Sequence, residues 1–213
     1  MNSTEVKSFF EYDVESRIIK SDKLSCNIDE ALKRVQAWKK NGFTIVFTSG
    51  VFDILTLNHL LGLYHYRMLG GDKTKLVVSI DTDERVKSSK AFNTSKGGSV
   101  KPILSWDNRA LMIAKQATNE SNILVDLILQ HGSDTCRGVC PHDDNVSIAE
   151  NLQPDLVVVN SKSRDTISKL EQSTIISSNN ILIIQEEELA YEDELLGGKI
   201  SNAKIINRIK NGN

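Results

Sequence analysis

Short apolar runs rich in β-branched residues alternate along the chain with segments of helical hydrophobic spacing. The runs have the length and composition of strands buried in a parallel sheet, and they read FTIVF, KLVVSID, DLVVVN and NILIIQ. Helical spacing begins near Ile28, Asn58, Asp107 and Arg164. Strands that alternate with helices form βαβ units. We therefore predict an α/β fold, a doubly wound, Rossmann-like parallel sheet of about five strands with helices on both faces.

Length and charge limit the class of protein. The 213 residues suffice for one sizeable domain but not for two comfortable cores, so we predict an N-terminal extension over 1–24 and a single domain over 25–213. With 26 basic and 28 acidic residues the chain lacks the charge of a nucleic-acid binder. The first 23 residues carry charges every few positions and do not resemble a signal sequence, and no apolar run has membrane-spanning length. We expect a cytoplasmic protein that binds small molecules or another protein, and neither nucleic acid nor a membrane.

The cysteines bear on metal binding. Cys26, Cys136 and Cys140 are widely spread and odd in number, which favours reduced thiols over a disulfide framework. The segment HGSDTCRGVCPHDD also contains His131 and His142, so it holds four side chains of the kinds that bind zinc. Their spacing matches no standard zinc pattern. We favour a glycine-rich surface loop and predict no metal site in the protein itself.

The predicted sheet indicates where a ligand would bind. In doubly wound sheets, ligands lie at the carboxyl ends of the strands, near the point where the strand order reverses. The loops after the four apolar runs are therefore expected to share one crevice. They are Gly50–His59, Asp81–Lys90, Asn160–Arg164 and the acidic segment 186–198 with Lys199–Lys204. We interpret the acidic segment as a solvated helix face rather than a lid, and residues from Ile200 onward as a terminal amphipathic helix.

The stretch TSGVFDILTLNH has the properties of an anion site. A helix that begins soon after a strand presents unpaired backbone N–H groups and a partial positive charge. Gly50 lets the backbone approach a ligand closely, and Thr56 and His59 can add donors to a triphosphate. A protonated His59 could balance the charge that develops as pyrophosphate leaves. The same two side chains could instead cap or pack the first turn of the helix, as such residues often do.

This stretch resembles the signature of the cytidylyltransferase-like nucleotidyltransferases, G-x-F-D-x-x-[HT]-x-G-H. The residues that fit the pattern are Gly50, Phe52, Asp53 and His59. Thr56 stands where the phosphopantetheine branch of the superfamily also has Thr. Asn58 departs from the pattern, because the family has Gly there. Asn is a favoured N-cap residue, so its side chain could cap the helix or crowd the nucleotide.

Three further segments resemble the superfamily in the same order along the chain. DTDERVKSSK is similar to the stretch in which Lys90 would reach the phosphates, and KPILSWDNRALMI places Arg109 on a phosphate-binding Arg. KISNAKII is similar to the closing motif, although Ala203 removes one of its hydroxyls. The family's K-G-x-D-[YW] segment is replaced by Asn160–Arg164. The chain looks most similar to the heptose-1-phosphate adenylyltransferases, and nearly as similar to glycerol-3-phosphate cytidylyltransferase.

The resemblance implies transfer of a nucleotidyl group from ATP or CTP to a phosphorylated sugar or polyol, with Mg²⁺ bound to the triphosphate. The catalytic residues would be Thr56, His59, Lys90 and Arg109. The nucleotide would contact Gly50, Val51, Phe52, Asn58, Lys199, Ser201 and Asn202. The acceptor would contact Asp53 and Asp83. For the oligomeric state of the protein, a homodimer is the arrangement considered. The alternative is a catalytically impaired nucleotide-binding or structural protein, because of the departures at Asn58, Asn160 and Ala203.

Overall fold

The structure is a computed structural model. Its backbone is described for residues 11–13, 18–20, 23–25, 28–88, 102–119, 122–131, 145–185, 192–193 and 198–199. Its side chains are described for residues 23–24, 28–87, 102–116, 123–130 and 145–185. The predicted terminal helix from Ile200 onward, Lys90, and both cysteines of the candidate zinc segment lie outside these ranges.

A parallel sheet of six strands forms the centre of the molecule. The strands are β1 (Leu24–Ser25), β2 (Thr44–Gly50), β3 (Thr74–Asp81), β4 (Leu127–His131), β5 (Leu156–Asn160) and β6 (Ile181–Ile184). They lie in the order β6-β5-β2-β3-β4-β1, and every pair is parallel. Five strands have four or more residues and β1 has two, so the predicted sheet is confirmed.

The strand order reverses between β2 and β5. From β2 the chain proceeds outward through β3 to β4, and it then crosses back to place β5 and β6 on the other side of β2. The hydroxyl of Thr48 on β2 donates to the carbonyl oxygen of Val158 on β5 at 3.0 Å, which ties the two strands together near their carboxyl ends. This is the position at which doubly wound sheets bind ligands.

Helices cover both faces of the sheet, as predicted. The helices are α1 (Ile28–Lys40), α2 (Leu57–Met68), α3 (Asp83–Ser88), α4 (Trp106–Ala114), α5 (Asn145–Leu152) and α6 (Arg164–Glu171). Side chains alternate along each strand, so Ile45 and Phe47 of β2 pack on one face with α1, α5 and α6. Val46 packs on the other face with α2 and α4. Each face therefore has its own apolar core.

Three short antiparallel ribbons accompany the sheet. They are Glu11–Asp13 with Ile18–Lys20, Ala117–Asn119 with Asn122–Ile123, and Glu192–Asp193 with Gly198–Lys199. The last pairing corrects the interpretation of the acidic segment as a helix face, because Glu192–Asp193 is extended. Lys23 and Leu24 also belong to the domain, although the predicted extension runs to residue 24: the ammonium of Lys23 donates to the carbonyl of Ala114 at 2.7 Å.

The run ILVDLIL has the apolar character of a strand or another buried element, and its second half is the sheet strand. Ile123 belongs to a ribbon, and the sheet strand begins at Leu127. Asp126 separates the two because its carboxylate accepts the backbone N–H of Leu76 at 2.9 Å at the start of β3.

Of the helices in the described part of the chain, none is both long and apolar enough to cross a membrane.

Candidate functional site

The junction between β2 and α2 lies at the point where the strand order reverses. β2 ends at Gly50, six residues follow, and α2 begins at Leu57 with Thr56 as its N-cap in an extended conformation (φ −106°, ψ 166°). Thr is a favoured N-cap residue because its conformation and hydroxyl suit the first turn. The unpaired N–H groups of this turn carry the positive end of the dipole of a 12-residue helix. The junction therefore favours an anion.

His59 is joined to the N-cap of the same helix. The backbone N–H of Thr56 donates to Nδ1 of His59 at 3.1 Å, and the Thr56 hydroxyl oxygen also lies 3.1 Å from that nitrogen. A side chain at the third helical position thus accepts the N-cap N–H, as Glu does in a capping box. Because Nδ1 accepts this bond, the neutral ring carries its proton on Nε2. Nε2 is then the nitrogen that can donate to an anion.

The surroundings of His59 favour its neutral form. Burial lowers the pKa of His59, and an interaction with the backbone of Ile54 opposes this to a lesser extent. Protonation would also place a hydrogen on Nδ1, facing the N–H of Thr56. The lowered pKa thus favours the neutral imidazole over the protonated one considered from the sequence, and in the neutral form the proton on Nε2 is the one available to an anion.

Phe52 supports the His59 ring. The two ring centroids are 5.4 Å apart with an interplanar angle of 63°, an edge-to-face contact. Phe52 has a φ of +50°, in the left-handed region that bulky residues rarely adopt. A Cβ atom added to Gly50 would lie 3.0 Å from the Phe52 ring, so only glycine fits beneath it without displacement. Gly50, Phe52 and His59 therefore form one packed unit.

Asp53 anchors the loop that precedes α4. Its side chain is buried (3% exposed), and Oδ1 accepts the N–H groups of Ile103 at 2.7 Å and Leu104 at 3.0 Å. Oδ2 is also buried, and among the described residues it has no hydrogen-bond partner. A buried carboxylate oxygen of this kind is costly unless something binds it. The structure therefore gives Asp53 a loop-anchoring role and leaves one of its oxygens for a further contact.

Arg109 lies beneath the junction and is completely buried (0% exposed). Its guanidinium donates to the carbonyls of Leu104, Val51 and Asp81 and to the carboxylate of Asp83. Four of the five N–H donors of Arg109, for which the sequence predicted a phosphate contact, are therefore turned to the protein itself. The predicted acceptor contact Asp83 forms an ion pair with Arg109 at 2.7 Å.

The structure brings together the predicted residues of the first motif, whereas several other predicted residues lie outside the described ranges. Lys90, Ser201 and Asn202 lie outside the described residues, and Lys199 is described only in its backbone. The candidate zinc ligands Cys136, Cys140 and His142 lie outside them too, and His131 is described only in its backbone. Within the described residues, no group of three or more His, Cys, Asp or Glu side chains is placed to hold a metal.

Three features of the site were not identified from the sequence. The indole N–H of Trp106 donates to the carbonyl of Ile80 at 3.1 Å, which fixes the start of α4 on β3. Burial raises the pKa of Asp81, and the charges of Arg85 and Arg109 partly oppose this. Asn160 accepts the N–H of Lys162 at 2.9 Å and so closes a turn after β5. Of these three features, only the burial of Asp81 had a signal in the sequence, because Asp81 is the last residue of the apolar run KLVVSID.

Comparisons with known proteins agree with the motifs. No family model matches the chain. The chain is 35% identical over 101 residues to a protein of Methylobacillus flagellatus named Bifunctional protein HldE, covering 47% of this chain and 19% of that protein. It is 29% identical over 180 residues to the HldE protein of Helicobacter pylori, covering 84% of this chain and 30% of that protein. It is 26% identical over 165 residues to the FAD synthase of Methanobrevibacter smithii, covering 78% of this chain and 90% of that protein.

The chain thus matches less than a third of the length of these HldE proteins and most of the length of the FAD synthase. These relatives confirm the resemblance to the cytidylyltransferase-like superfamily.

Proposed function

We propose that the protein transfers a nucleotidyl group from ATP or CTP to a phosphorylated sugar or polyol and releases pyrophosphate. The observation that carries the proposal is the junction Gly50–His59, where a helix N-terminus and the His59 ring, whose Nδ1 accepts the N–H of Thr56, meet at the reversal of the strand order. The relatives named HldE and FAD synthase support the general class of nucleotidyltransferase.

In the proposed reaction the protein aligns the two substrates and stabilises the charge that develops on the leaving group. The acceptor phosphate is already an anion, so one of its oxygens can attack the α-phosphorus without a general base. The bond to the bridging oxygen breaks, and pyrophosphate leaves with the electron pair. The first-turn N–H groups of α2 and Nε2 of His59 are the donors proposed to bind the charge that develops on the leaving group. Thr56 holds His59 in position for this.

The remaining predicted phosphate contacts stay part of the proposal. Lys90, Lys199, Ser201 and Asn202 would hold the outer phosphates. Mg²⁺ would enter with the triphosphate, since this ion is usually bound by substrate phosphates and one or two carboxylates. Among the described carboxylates, Asp53 has a buried oxygen without a partner, so it is the side chain whose chemistry suits the ion or its waters.

The acceptor is proposed as a class, a phosphate on a sugar or polyol. The similarity to heptose-1-phosphate adenylyltransferases favours a sugar phosphate. FMN carries its phosphate on a polyol chain, and the match over 90% of an FAD synthase makes it a necessary member of the acceptor panel. Asp53 and Asp83 are the proposed acceptor contacts, although Asp83 would then share its carboxylate with Arg109.

Pyrophosphate release tests the proposal. The purified protein is mixed with ATP or CTP, Mg²⁺ and each acceptor in turn: heptose 1-phosphate, other sugar 1-phosphates, glycerol 3-phosphate and FMN. Release that depends on both nucleotide and acceptor supports the proposal. Nucleotide binding without release, unchanged in Asn58→Gly, contradicts it and favours the nucleotide-binding or structural alternative. Release restored only in Asn58→Gly would show that the side chain at this position blocks an otherwise competent site.

A further inference from the structure

We propose that Arg109 is a positioning residue that holds the His59 imidazole in place through Val51 and Phe52, and that it is not a ligand of the nucleotide phosphates. The proposed effect on turnover rests on the proposed function. The proposed effect on His59 itself does not, because it is a property of the protein without ligands.

The first step is the number of contacts that the buried guanidinium makes within the protein, which occupy four of its N–H donors. An Arg side chain has five N–H donors. Nε donates to the Leu104 carbonyl at 3.1 Å, Nη1 to the Val51 carbonyl, and Nη2 to the Asp81 carbonyl and the Asp83 carboxylate, both at 2.7 Å. The side chain is 0% exposed. Because the side chain is completely buried and four of its five donors are bound, a phosphate could reach it only if the surrounding loops moved.

The second step is the origin of the acceptors. Val51 follows β2, Asp81 and Asp83 lie at the end of β3 and the start of α3, and Leu104 lies in the loop before α4. One planar group therefore ties together three segments that are distant in sequence. Asp53 ties the first and third segments in the opposite sense, since its carboxylate accepts N–H groups of that same loop. The loop after β2 is thus held from both sides.

The third step leads from the loop to His59. The Val51 carbonyl that Arg109 binds belongs to the peptide unit just before Phe52, the residue with a φ of +50°. Such a backbone conformation costs about 1–3 kcal/mol and persists only where the surroundings impose it. Without the bond from Arg109, Phe52 is free to relax to a negative φ. Its ring would then leave the edge of the His59 ring, and the bond from the Thr56 N–H to Nδ1 would loosen.

The fourth step separates positioning from phosphate binding. Lys keeps the positive charge but has no planar fork, so it cannot reach acceptors in three segments at once. A phosphate ligand would largely tolerate Arg109→Lys, whereas a clamp would not. Asp126→Asn provides the matched control. It alters another buried ion cluster, which involves Arg67 and Lys75 near the opposite end of the sheet.

The experiment records the imidazole ¹⁵N signals of ligand-free wild type, Arg109→Lys and Asp126→Asn, with His59 assigned by its loss in His59→Gln. The wild type is expected to show an acceptor Nδ1 and a protonated Nε2. Arg109→Lys is expected to shift both His59 signals towards the tautomer mixture of a free imidazole, while exposed His65 stays unchanged. Asp126→Asn is expected to leave His59 as in the wild type. If the wild type turns over, kcat of Arg109→Lys should fall about 10- to 100-fold, with the nucleotide KM nearly constant.

Unchanged His59 signals in Arg109→Lys would overturn the inference, as would a raised nucleotide KM with kcat retained. If Arg109→Lys does not fold, Asp83→Ala decides, because it removes one of the four acceptors: a smaller shift of His59 in the same direction supports the inference, and an unmoved His59 overturns it. A wild type without turnover would count against the proposed function. The His59 signals would still test the clamp.

Discussion

Each end of the central sheet contains a buried ion cluster. The two clusters differ in how many of their polar atoms have a hydrogen-bond or ion-pair partner. At the amino end, the Asp126 carboxylate binds Arg67, binds Lys75 at 2.8 Å and accepts the N–H of Leu76 at 2.9 Å. The Lys75 ammonium also lies 4.9 Å from the ring centroid of Phe43, within the range of a cation–π contact. Both oxygens of the anion are bound, and its cations also pack on the protein.

The carboxyl end reverses this arrangement. A cation, Arg109, is at the centre, and three of its four acceptors are backbone carbonyls. Around it lie an Asp53 oxygen without a partner among the described residues, a left-handed Phe52, and a His59 whose pKa is lowered by burial. Strained and incompletely satisfied groups gather at functional sites, whereas self-satisfied clusters serve stability. We therefore expect the cluster at the amino end to serve stability and the cluster at the carboxyl end to serve function.

The largest expected effect is at His59. We expect His59→Ala to lower turnover by about 100- to 1,000-fold, because it removes a donor to the transition state. The free energy of unfolding should fall by about 0.5–2 kcal/mol, because the N–H of Thr56 loses its acceptor. Pyrophosphate release and urea unfolding measure the two quantities. His65→Ala, on the exposed side of the same helix, is the control and should retain both. Full turnover in His59→Ala would mean that the residue only caps the helix.

At the amino end the expected effects are the opposite. We expect Asp126→Asn to lower the free energy of unfolding by about 2–3 kcal/mol, because it removes the charge that binds two cations and weakens acceptance of the Leu76 N–H. Turnover of the remaining folded protein should be unchanged. Urea unfolding and pyrophosphate release, both at 25 °C, make the comparison. A loss of turnover without a loss of stability would reverse the roles assigned to the two ends.

A smaller effect is expected at Gly50. The added methyl group of Gly50→Ala would lie 3.0 Å from the Phe52 ring, so the ring must move by a few tenths of an ångström. We expect a destabilisation of about 1 kcal/mol and a fall in turnover of about tenfold. In a Phe52→Leu background the conflict disappears, so the additional effect of Gly50→Ala should be much smaller there. Equal effects in the two backgrounds would show that the Phe52 ring is not the cause.

The smallest expected effect is on the pH dependence of stability. The pKa of His59 is lowered in the folded state, so between that value and the ordinary value of about 6.5 the unfolded state binds more protons. Its contribution is therefore complete above pH 6.5 and is lost as the pH falls through the folded-state pKa. The difference in unfolding free energy between wild type and His59→Gln should shrink from pH 7.5 to pH 5. Asp81, with a raised pKa, contributes the opposite slope, so the difference and not the raw curve is the test. A constant difference would contradict the neutral His59.

The sheet could be predicted from the sequence because its strands are short apolar runs rich in β-branched residues. Runs such as LVVSI are too short and too rich in β-branched residues to favour a helix. The helix α1 was predicted from the helical spacing of Ile28, Leu32 and Val35. At ILVDLIL the same pattern indicated a strand or another buried element but not where the strand begins, because the carboxylate of Asp126 within the run binds the N–H of Leu76. Hydrophobic periodicity indicates which residues are buried, but it does not indicate which hydrogen-bond partner a polar side chain will have.

The site was predicted less completely for the same reason. The motif located Gly50, Phe52 and His59, but the charge of His59 depends on a backbone N–H three residues earlier, which a pattern of residue types does not contain. The sequence likewise placed Arg109 in the right region. Whether its guanidinium turned towards a ligand or towards the protein depended on loops that meet only in the folded chain.

A crystal structure with bound ATP, and one with CTP, would examine the β2–α2 junction most directly. We predict the triphosphate at the N-terminus of α2, with one of its oxygens within hydrogen-bonding distance of Nε2 of His59 and with Arg109 still bound to Val51. A triphosphate bound away from this junction, or a junction filled by the protein's own side chains, would contradict the proposed function.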